Sequence, residues 1–553
     1  MINKRRKTGT MQGEKIDLSK PVLAIYDIRG IQNYIFRTNR VKEIIGASNI
    51  VQDLFETILK ESVDSVLKKE SDPERYRINW KQYPECRFEK EETVQMEVIY
   101  AGGGNTLILY RTRALCRAIN RKLSRLILEK TYSLGLAVAV TEKTKDYMQD
   151  YHKLQRQLSN IKRKMAPSNL TGNFPVTRQE DSTGYPLSAS YWETYGGRER
   201  KCSVSREVLY KLCYSTEEEK KKFDDMVTEK GRDSMLAVVH IDGNNLGNRI
   251  GNLMKEKGAE GYEEAIRCSR TISNCISRAF EGVYERMIEW AEQWAKKHPK
   301  RPIRSSIRKI VSAGDDMTFV CNASLALDMT AYFLKEIAKE VLYQEEGTKV
   351  NQEIYGLSAC AGIAYFQSHF PFADAYRVAE ACCSNAKKRM KALAMQKTNT
   401  VFVESGLDFQ ICDAVSVVEN LEKYRKKHYE LADGTSLLLR PYIIPRVGHT
   451  IKELPEEYEF DSFVKLQREM NSLPKNGAKR LRNAYASGEY ETVLVAKQLE
   501  SRGVLSQNTP IYLEQNGKKI ARYFDALETM EFFIDMGREE DENETMDGAA
   551  TAQ

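Results

Sequence analysis

The feature that most constrains the fold is an order of predicted elements that occurs twice along the 553-residue chain. In the second half, the apolar runs SMLAVVHID (234–242), IRKIVSAGDDMTFVC (307–321) and YGLSACAGIAYF (355–366) alternate with long amphipathic segments. Short apolar runs bounded by turn residues indicate buried strands, and the segments between them carry the 3.6-residue period of helices. The resulting order, β-α-α-β-β-α-β-α, predicts a split βαβ arrangement related to ferredoxin-like folds.

The same order occurs in the first half. The runs VLAIYDI (22–28), VQMEVIYAGGGNTLILYRT (94–112) and LGLAVAVTE (134–142) are predicted strands, again separated by helical segments. We therefore predict an internal duplication and an α+β fold with two ferredoxin-like domains. The predicted organisation is a flexible N-terminus (1–19), a first ferredoxin-like domain (20–165), a Pro-, Gly-, Ser- and Thr-rich linker or inserted subdomain (166–230), a second ferredoxin-like domain (231–440), a helical C-terminal domain (441–537) and a disordered acidic tail (538–553).

Three acidic residues lie at strand ends in the second half. Asp242 ends the first strand, and Asp315 and Asp316 lie at the tip of the hairpin. The first strand lies beside the hairpin in this topology, so the three carboxylates can converge. Mg²⁺ or Mn²⁺ is commonly held by one or two carboxylates together with phosphates. We therefore predict a divalent-metal site, with the carbonyl of Ile241 as a further oxygen ligand, that can activate a ribose hydroxyl and stabilise a leaving pyrophosphate.

The residues around these acids are suited to bind a nucleotide. Gly314 leaves room for a triphosphate. Gly243 leads into the N-terminus of a helix, where backbone N–H groups bind anions. Asn244 and Asn245 can contact ribose or base. Lys387 can reach a phosphate from the later helix, and so can Lys388 or Arg389.

Each feature also has a plainer interpretation. An Asp-Asp pair in a hairpin is usually only a turn, and a single lysine such as Lys387 more often belongs to a solvated helix face. The catalytic interpretation therefore depends on all of the acids, glycines and the lysine occurring in one compatible topology.

Composition excludes few classes of function. The six histidines include no H-E-x-x-H pattern, so histidine-based hydrolase chemistry is poorly supported. The 11 cysteines include no C-x-x-C pair and are predicted to be reduced. The net charge of +7 is compatible with anionic ligands such as nucleotides or RNA. No apolar run approaches the length of a membrane span, and the basic N-terminus lacks a signal-peptide core, so we expect a cytoplasmic protein without a membrane partner.

Several motifs together resemble a known family. HIDGNNLG, SAGDDMTFV and LSACAGIAYF…AKKR resemble the catalytic palm of the large polymerase/cyclase subunit of type III CRISPR complexes, a palm related to GGDEF cyclases. YDIRGIQNYIF, IIGASNIVQDL and YAGGGNTLIL resemble the first palm of that subunit. The resemblance implies two palm domains and a helical C-terminal domain.

The resemblance also implies a site and an activity. Asp315 and Asp316 match the two acids of the family's GGDD motif, and Asp242 matches the metal-binding acid of the first palm strand. The implied activity is a Mg-dependent nucleotidyltransferase that joins ATP into cyclic oligoadenylates, messengers of antiviral defence. A ribose hydroxyl would attack an α-phosphate between the two palms and release pyrophosphate.

Four departures from the family pattern limit these expectations. Ala313 replaces the first glycine of GGDD, and Asn244 replaces an acid that is frequent after the Asp-Gly pair, which puts metal affinity in question. The family's HD nuclease domain and its zinc-binding cysteine pairs have no counterpart, so DNA cleavage by that route is not expected. We therefore expect a variant or standalone relative.

The first palm is predicted to be degenerate. Aligning VLAIYDIRGIQ with MLAVVHIDGNN, and AGGGNTLI with SAGDDMTF, puts Arg29, Gly104 and Asn105 at the positions of the three acids. Without these carboxylates the first palm is not expected to catalyse. It can bind an acceptor nucleotide, with Gly103 and Gly104 allowing close approach of a phosphate and Arg29 supplying charge, or it can be a purely architectural duplicate. Both interpretations stay open.

The expected partners are nucleoside triphosphates, with RNA, other CRISPR-type subunits and a second copy of the chain as further candidates. Two other functions also stay open. One is a catalytically inactive scaffold that binds nucleotide or RNA, which the degenerate first palm favours. The other is a cyclase that makes a cyclic dinucleotide, as GGDEF relatives imply.

Overall fold

A computed structural model describes most of the chain, and its described residues fall into several ranges. These are 19–82, 85–165, 176–195, 198–215, 226, 235–298, 307–344, 355–396, 403–412, 419–446, 456–505, 510–515 and 517–537. The predictions of a flexible N-terminus over 1–19 and of a disordered tail over 538–553 lie outside this part, apart from Ser19.

The first sheet has the strand order β2-β3-β4-β1-β5. Strand β1 lies between β4 and β5 and pairs antiparallel with both. The last four positions of this order reproduce the ferredoxin-like arrangement that the sequence predicts. The strands are β1 (Val22–Arg29), β2 (Tyr76–Arg77), β3 (Met96–Gly102), β4 (Asn105–Tyr110) and β5 (Gly135–Glu142).

Helices cover this sheet on both faces. Tyr26 of β1 donates to Asn120 on one face, whereas the next residue, Asp27, contacts Lys162 on the other, as the alternation of strand side chains requires. We call this sheet and its helices the N-terminal unit. The helices are α1 (Ile31–Ile35), α2 (Val41–Asp53), α3 (Leu59–Leu67), α4 (Arg113–Thr131) and α5 (Tyr147–Lys164).

The predicted linker contains a folded, docked segment. A ribbon of β6 (Ala189–Tyr195) and β7 (Arg198–Val204) is followed by helix α6 (Arg206–Cys213). Helix α6 packs closely on α2: a Cβ at Gly46 would lie 1.8 Å from the carbonyl oxygen of Lys211. Lys211 is fully buried and pairs with Glu207 at 2.7 Å. The described part of this segment is therefore folded, and its helix packs on the N-terminal unit.

The second sheet has the strand order β13-β12-β11-β8-β10-β9. It contains the same four-strand ferredoxin-like core, in which β8 lies between β10 and β11 and is antiparallel to both. Strand β8 is apolar and buried along most of its length, because the sheet is covered on both faces. The strands are β8 (Met235–Gly243), β9 (Arg308–Ala313), β10 (Asp316–Asn322), β11 (Ala359–Gln367), β12 (Ser405–Ile411) and β13 (Tyr442–Ile444).

We call the second sheet and its helices the central unit. Its helices divide between the two faces of the sheet. Phe319 of β10 contacts Tyr284 on one face, and His240 of β8 contacts Tyr376 on the other. The helices are α7 (Leu246–Gly258), α8 (Tyr262–Lys297), α9 (Ala326–Ile337), α10 (Phe372–Gln396) and α11 (Leu421–Tyr429).

The C-terminal part is mostly helical, as predicted, with one additional ribbon. Arg440 links the C-terminal part to the central unit. The buried guanidinium of Arg440 lies 2.7 Å from the carboxylates of both Asp525 and Glu528. Its elements are helices α12 (Phe460–Asn471), α13 (Lys475–Ser487), α14 (Glu489–Ser501) and α15 (Phe524–Thr529) and strands β14 (Tyr512–Gln515) and β15 (Lys518–Ala521).

Direct contacts join the N-terminal and central units. Arg270 of α8 is 2% exposed; it donates to the carbonyls of Val98 and Ile99 on β3 and to the carboxylate of Glu97. The rings of Phe36 and Tyr376 stack with centroids 3.7 Å apart. Among the described residues, no helix is both long enough and apolar enough to cross a membrane.

Candidate active site

Strand pairing brings two of the predicted acids together. Asp316, the first residue of β10, is the direct cross-strand partner of Asp242 at the end of β8. Gly314 has a φ of 69° in the turn that joins β9 to β10, a backbone conformation that glycine adopts at little cost. The N–H of Gly243 donates to the carbonyl of Asp315 at 3.2 Å, which closes the hairpin tip onto the end of β8.

Gly243 favours this close approach, because it has no side chain. A Cβ at this position would lie 2.5 Å from Cδ1 of Leu246 and 3.1 Å from both Cβ and Oδ2 of Asp315. Contacts this short force neighbouring atoms to move. The Asp-Gly sequence therefore allows the three acids to occupy one small region.

Helix α10 brings Lys387 to the same region. The helix packs closely on Gly362 of β11. A Cβ at this position would lie only 1.9 Å from the carbonyl oxygen of Ala379. Lys387 Nζ lies 2.5 Å from Oδ2 of Asp242, and it donates to the carbonyl of Gly243 at 2.8 Å. The structure thus brings Lys387 to the acids, whereas a solvated helix face would have kept it apart from them.

Asp316 has a neighbour that sequence reasoning missed. His240 Nδ1 lies 3.3 Å from Oδ1 of Asp316 and 3.2 Å from the hydroxyl of Thr318. Oδ1 of Asp316 is buried and accepts no well-aligned hydrogen bond from the described residues. Burial lowers the pKa of His240, but the carboxylates of Asp316 and Asp242 outweigh burial and raise it. The available signal was the two-residue spacing of His240 and Asp242, which puts both side chains on one face of β8.

Asp315 is held in an environment that disfavours its charge. Burial raises the pKa of this carboxyl, the nearby Asp242 and Asp316 raise it as well, and Lys387 partly opposes them, so that the pKa is about 6. Crowded carboxylates with raised pKa values are typical of sites that bind cations or transfer protons.

The two asparagines of DGNNLG have different environments. Asn244 is 3% exposed, and its side-chain amide donates to the carbonyl of Glu404 at 3.0 Å and to the hydroxyl of Ser358 at 3.3 Å. The side-chain nitrogen of Asn244 is therefore used inside the protein, and contact of this residue with ribose or base stays a prediction. Asn245 is exposed at the start of α7, with a φ of 53°.

The N-terminal unit contains a related arrangement in a different register. Asp27 is the cross-strand partner of Asn105, and the N–H of Ile28 donates to the carbonyl of Gly104 at 2.9 Å, as Gly243 does to Asp315. Asp27 therefore occupies the position of Asp242. The sequence register, which placed Arg29 there, is wrong by two residues.

A lysine from the following helix also contacts this acid. Lys162 Nζ lies 2.6 Å from Oδ2 of Asp27. The signal that could have revealed the pair is the repeat SNIKRKM (159–165) and SNAKKRM (384–390), in which Lys162 corresponds to Lys387. The prediction that this unit lacks every carboxylate at the site positions is thus corrected, because one of the three is present.

The remaining residues predicted for the N-terminal site have separate positions. Arg29 donates to the carbonyl of Met165, just beyond the end of α5. Gly103 and Gly104 form the hairpin turn with φ values of 58° and 78°. A Cβ at Gly103 would meet no atom within 4 Å, so the turn is open on that side. Asn105 begins β4.

No complete metal centre is formed by side chains alone. Within the described ranges, no group of three or more His, Cys, Asp or Glu side chains is arranged to hold a metal ion. Any cation beside Asp242, Asp315 and Asp316 would therefore need oxygen ligands beyond these carboxylates, such as backbone carbonyls or phosphates.

Comparison with known proteins identifies the central unit. Residues 235–394 match the family model of the Cas10/Cmr2 second palm domain. This part of the chain is therefore similar to a Cas10/Cmr2 second palm domain. The resemblance to the large subunit of type III CRISPR complexes is thereby confirmed for the domain that contains Asp242, Asp315, Asp316 and Lys387.

Several solved structures are similar to the chain at low identity. The Csm1–Csm4 cassette in complex with cA3 is 13% identical, with a TM-score of 0.41, and the match covers 67% of this chain and 53% of that chain. The cassette in complex with pppApApA is 14% identical, with a TM-score of 0.49 and coverage of 93% and 69%. The cassette in complex with AMPPNP is 13% identical, with a TM-score of 0.47 and coverage of 94% and 70%.

In the first of these matches the chain spans about half the length of its relative, 53%. No curated protein matches the chain.

Proposed function

We propose that the second palm domain is a metal-dependent nucleotidyltransferase that joins ATP into cyclic oligoadenylates and releases pyrophosphate. The observation that carries the proposal is the direct pairing of Asp242 with Asp316 across β8 and β10, with Asp315 at the adjoining turn. Two carboxylates on neighbouring strands can hold the cation that phosphoryl transfer requires.

The available ligands suit Mg²⁺ or Mn²⁺. The carboxylates of Asp242, Asp315 and Asp316 and the carbonyl of Ile241 supply hard oxygen atoms, which these ions prefer. Oδ1 of Asp316 is buried without a hydrogen-bond donor of good geometry, and such an atom is stabilised by a nearby cation. When bound, the metal would lower the pKa of an attacking hydroxyl and neutralise charge on the phosphates.

The protein's own groups would position the nucleotide. Gly314 and Gly243 keep the hairpin tip free of side chains, so phosphates can approach the backbone. Lys387 is suited to exchange its contact with Asp242 for a contact with a phosphate, which frees both oxygens of Asp242. Asn245 is exposed beside the site and can contact ribose or base.

For the N-terminal unit we propose nucleotide binding without catalysis. Asp27 is present, but Gly104 and Asn105 stand where the second palm has Asp315 and Asp316, so a single carboxylate remains. Lys162 and the open turn at Gly103 are suited to contact the phosphates of an acceptor nucleotide. RNA, CRISPR-type subunits and a second copy of the chain are further partners consistent with a Cas10-type palm.

A non-catalytic scaffold is the second candidate. It is favoured by the ion pair that engages Asp242 with Lys387 at 2.5 Å and by the absence, among the described residues, of a three-ligand metal group. A scaffold of this kind would bind nucleotide without turning it over.

The deciding experiment incubates the purified chain with Mg²⁺ and each nucleoside triphosphate, with and without RNA. Pyrophosphate release is measured, and the products are identified by mass spectrometry. We expect release with ATP and a product whose mass is that of a cyclic oligoadenylate. A cyclic dinucleotide would establish the cyclase alternative, and nucleotide binding without any product would establish the scaffold.

Two matched comparisons test the site itself. Asp315→Ala with Asp316→Ala should abolish pyrophosphate release, whereas the exposed neighbouring acids Glu91→Ala with Glu92→Ala should leave it unchanged. Asp242→Ala should likewise abolish pyrophosphate release. Asp27→Ala removes the carboxylate of the equivalent lysine–aspartate pair in the N-terminal unit, and this variant should retain pyrophosphate release. Normal release by the Asp315/Asp316 variant would overturn the assignment.

A further inference from the structure

Helix α4 carries an unusual concentration of positive charge. It contains six basic residues and one acidic residue, Glu129, so its net charge is +5 in a chain whose total is +7. The basic residues are Arg113, Arg117, Arg121, Lys122, Arg125 and Lys130.

Four arginines lie in one row along this helix. Arg113, Arg117, Arg121 and Arg125 are spaced four residues apart, and residues four apart lie on the same face of a helix. With a rise of about 1.5 Å per residue, the row advances about 6 Å per arginine and extends about 18 Å. Arg117, Arg121 and Arg125 are exposed, and Arg113 is partly buried. We call this row the arginine row.

The arginine row is not neutralised by neighbouring acids. Only Arg125 forms an ion pair, with Glu129 at 2.7 Å. Arg113, Arg117 and Arg121 have no carboxylate partner in the part of the chain that the structure describes. Like charges four residues apart destabilise a helix, so the row does not stabilise α4.

The position of the row separates it from the candidate active site. The inner face of α4 is anchored on the first sheet by buried residues such as Ile119 and Leu123 and by the bond from Tyr26 to Asn120. The pair of Asp27 and Lys162 lies on the opposite face of the same sheet. The row is therefore fixed on a rigid support and does not face the pair of Asp27 and Lys162.

The chemistry of the row selects its partner. Arginine presents a planar set of donors that matches phosphate oxygens, and regularly spaced arginines match a chain of regularly spaced phosphates. A helix that binds a membrane surface inserts a broad apolar face, whereas the apolar face of α4 is buried and Leu128 is its one large exposed apolar side chain among the described residues. We propose that the arginine row binds the phosphodiester backbone of a nucleic-acid strand.

The test measures binding directly. The full chain is titrated against fluorescently labelled strands of about 20 nucleotides, as single-stranded RNA, single-stranded DNA and duplex RNA, at several salt concentrations. Arg113, Arg117 and Arg121 are then replaced together by Gln. The three strands differ in sugar and shape, so the tightest of them identifies the class of strand.

The expected result follows from counterion release. For a single strand, each phosphate contact contributes about −0.7 to the slope of log K against log salt concentration. Removing three contacts should therefore make the slope of the triple variant shallower by about 2. Affinity should fall about 100-fold at about 0.1 M salt but only about fourfold at about 0.5 M salt.

The control removes the same charge elsewhere. Lys60→Gln, Lys335→Gln and Lys519→Gln together lower the net charge equally, but each of these lysines already pairs with an acid. This control should keep the parent slope. Equal slopes for the Gln triple variant and the parent would overturn the proposal, as would binding to vesicles of anionic lipid without binding to any strand. Pyrophosphate release from ATP alone should be unchanged in the triple variant, which separates this test from that of the proposed function.

Discussion

Lys387 and Asp242 form an ion pair at the end of β8, with Nζ 2.5 Å from Oδ2, and Lys162 and Asp27 form the corresponding pair on β1 at 2.6 Å. The duplication therefore preserves one lysine–acid pair in both units, although the two further acids are present only in the second. In the second unit, the ammonium group occupies space beside an acid that we propose binds a divalent cation.

The first prediction concerns competition between Lys387 and the metal. Lys387→Gln should tighten Mn²⁺ binding in the absence of nucleotide by about tenfold, equivalent to about 1.4 kcal/mol, because the competing positive charge is removed. The same variant should weaken ATP binding. Mn²⁺ affinity is measured by electron paramagnetic resonance. Lys388→Gln is the matched control, since this neighbour is exposed, and equal Mn²⁺ affinity in both variants would contradict the prediction.

The second prediction concerns pH. The pKa of Asp315 is raised to about 6 by burial and by Asp242, so the folded state binds this proton more tightly than the unfolded state. The resulting stabilisation is complete below the unfolded pKa of about 4 and is lost as pH rises to about 6.

In the presence of a chelator, Asp315→Asn should therefore be more stable than the parent at pH 8, on the order of 1–2 kcal/mol after allowance for partial exposure. The difference should shrink toward pH 4. Thermal unfolding across this range measures it, and a parent protein that is the more stable of the two at pH 8 would refute the sign.

The third prediction concerns the turn glycine beside the acids. Gly243→Ala should reduce pyrophosphate release at least tenfold, because its Cβ would lie 3.1 Å from Oδ2 of Asp315 and displace that side chain. The control is Gly247→Ala, where a Cβ meets nothing within 4 Å. This control lies in α7 and should stabilise the protein by up to about 1 kcal/mol with unchanged activity. Full activity of Gly243→Ala would show that the crowding does not matter.

The fourth prediction concerns the contact between the two units. Arg270→Ala leaves the buried Glu97 without its partner from the central unit. It also removes the three hydrogen bonds that Arg270 donates to residues of β3. Because Glu97 keeps its ion pair with Arg77, the expected cost is that of buried acceptors left without their donors, about 1–3 kcal/mol, which urea unfolding can measure. Arg267→Ala, on an exposed part of the same helix, should cost less than about 1 kcal/mol. Similar losses for both variants would argue against the role of Arg270.

Much of the fold followed from local pattern. The apolar runs and glycine turns predicted both ferredoxin-like sheets, because strand burial and turn geometry depend on residues that are neighbours in sequence. The closeness of Asp315 and Asp316 was likewise a local property of one hairpin. The predicted linker shows the limit of this reasoning, because docking of α6 on α2 depends on the fit of Lys211 against Gly46 across the fold.

The sequence by itself determined the duplication, the α+β class and the concentration of acids at one turn of the second palm. Only the tertiary structure decided that Asp27, and not Arg29, matches Asp242, since moving a strand by two residues returns every side chain to the same face and leaves its apolar alternation unchanged. The pairing of Lys387 with Asp242, the contact of His240 with Asp316 and the burial of Asn244 also required the structure. These contacts join residues far apart in the chain, and their distances are fixed by how helices pack on sheets.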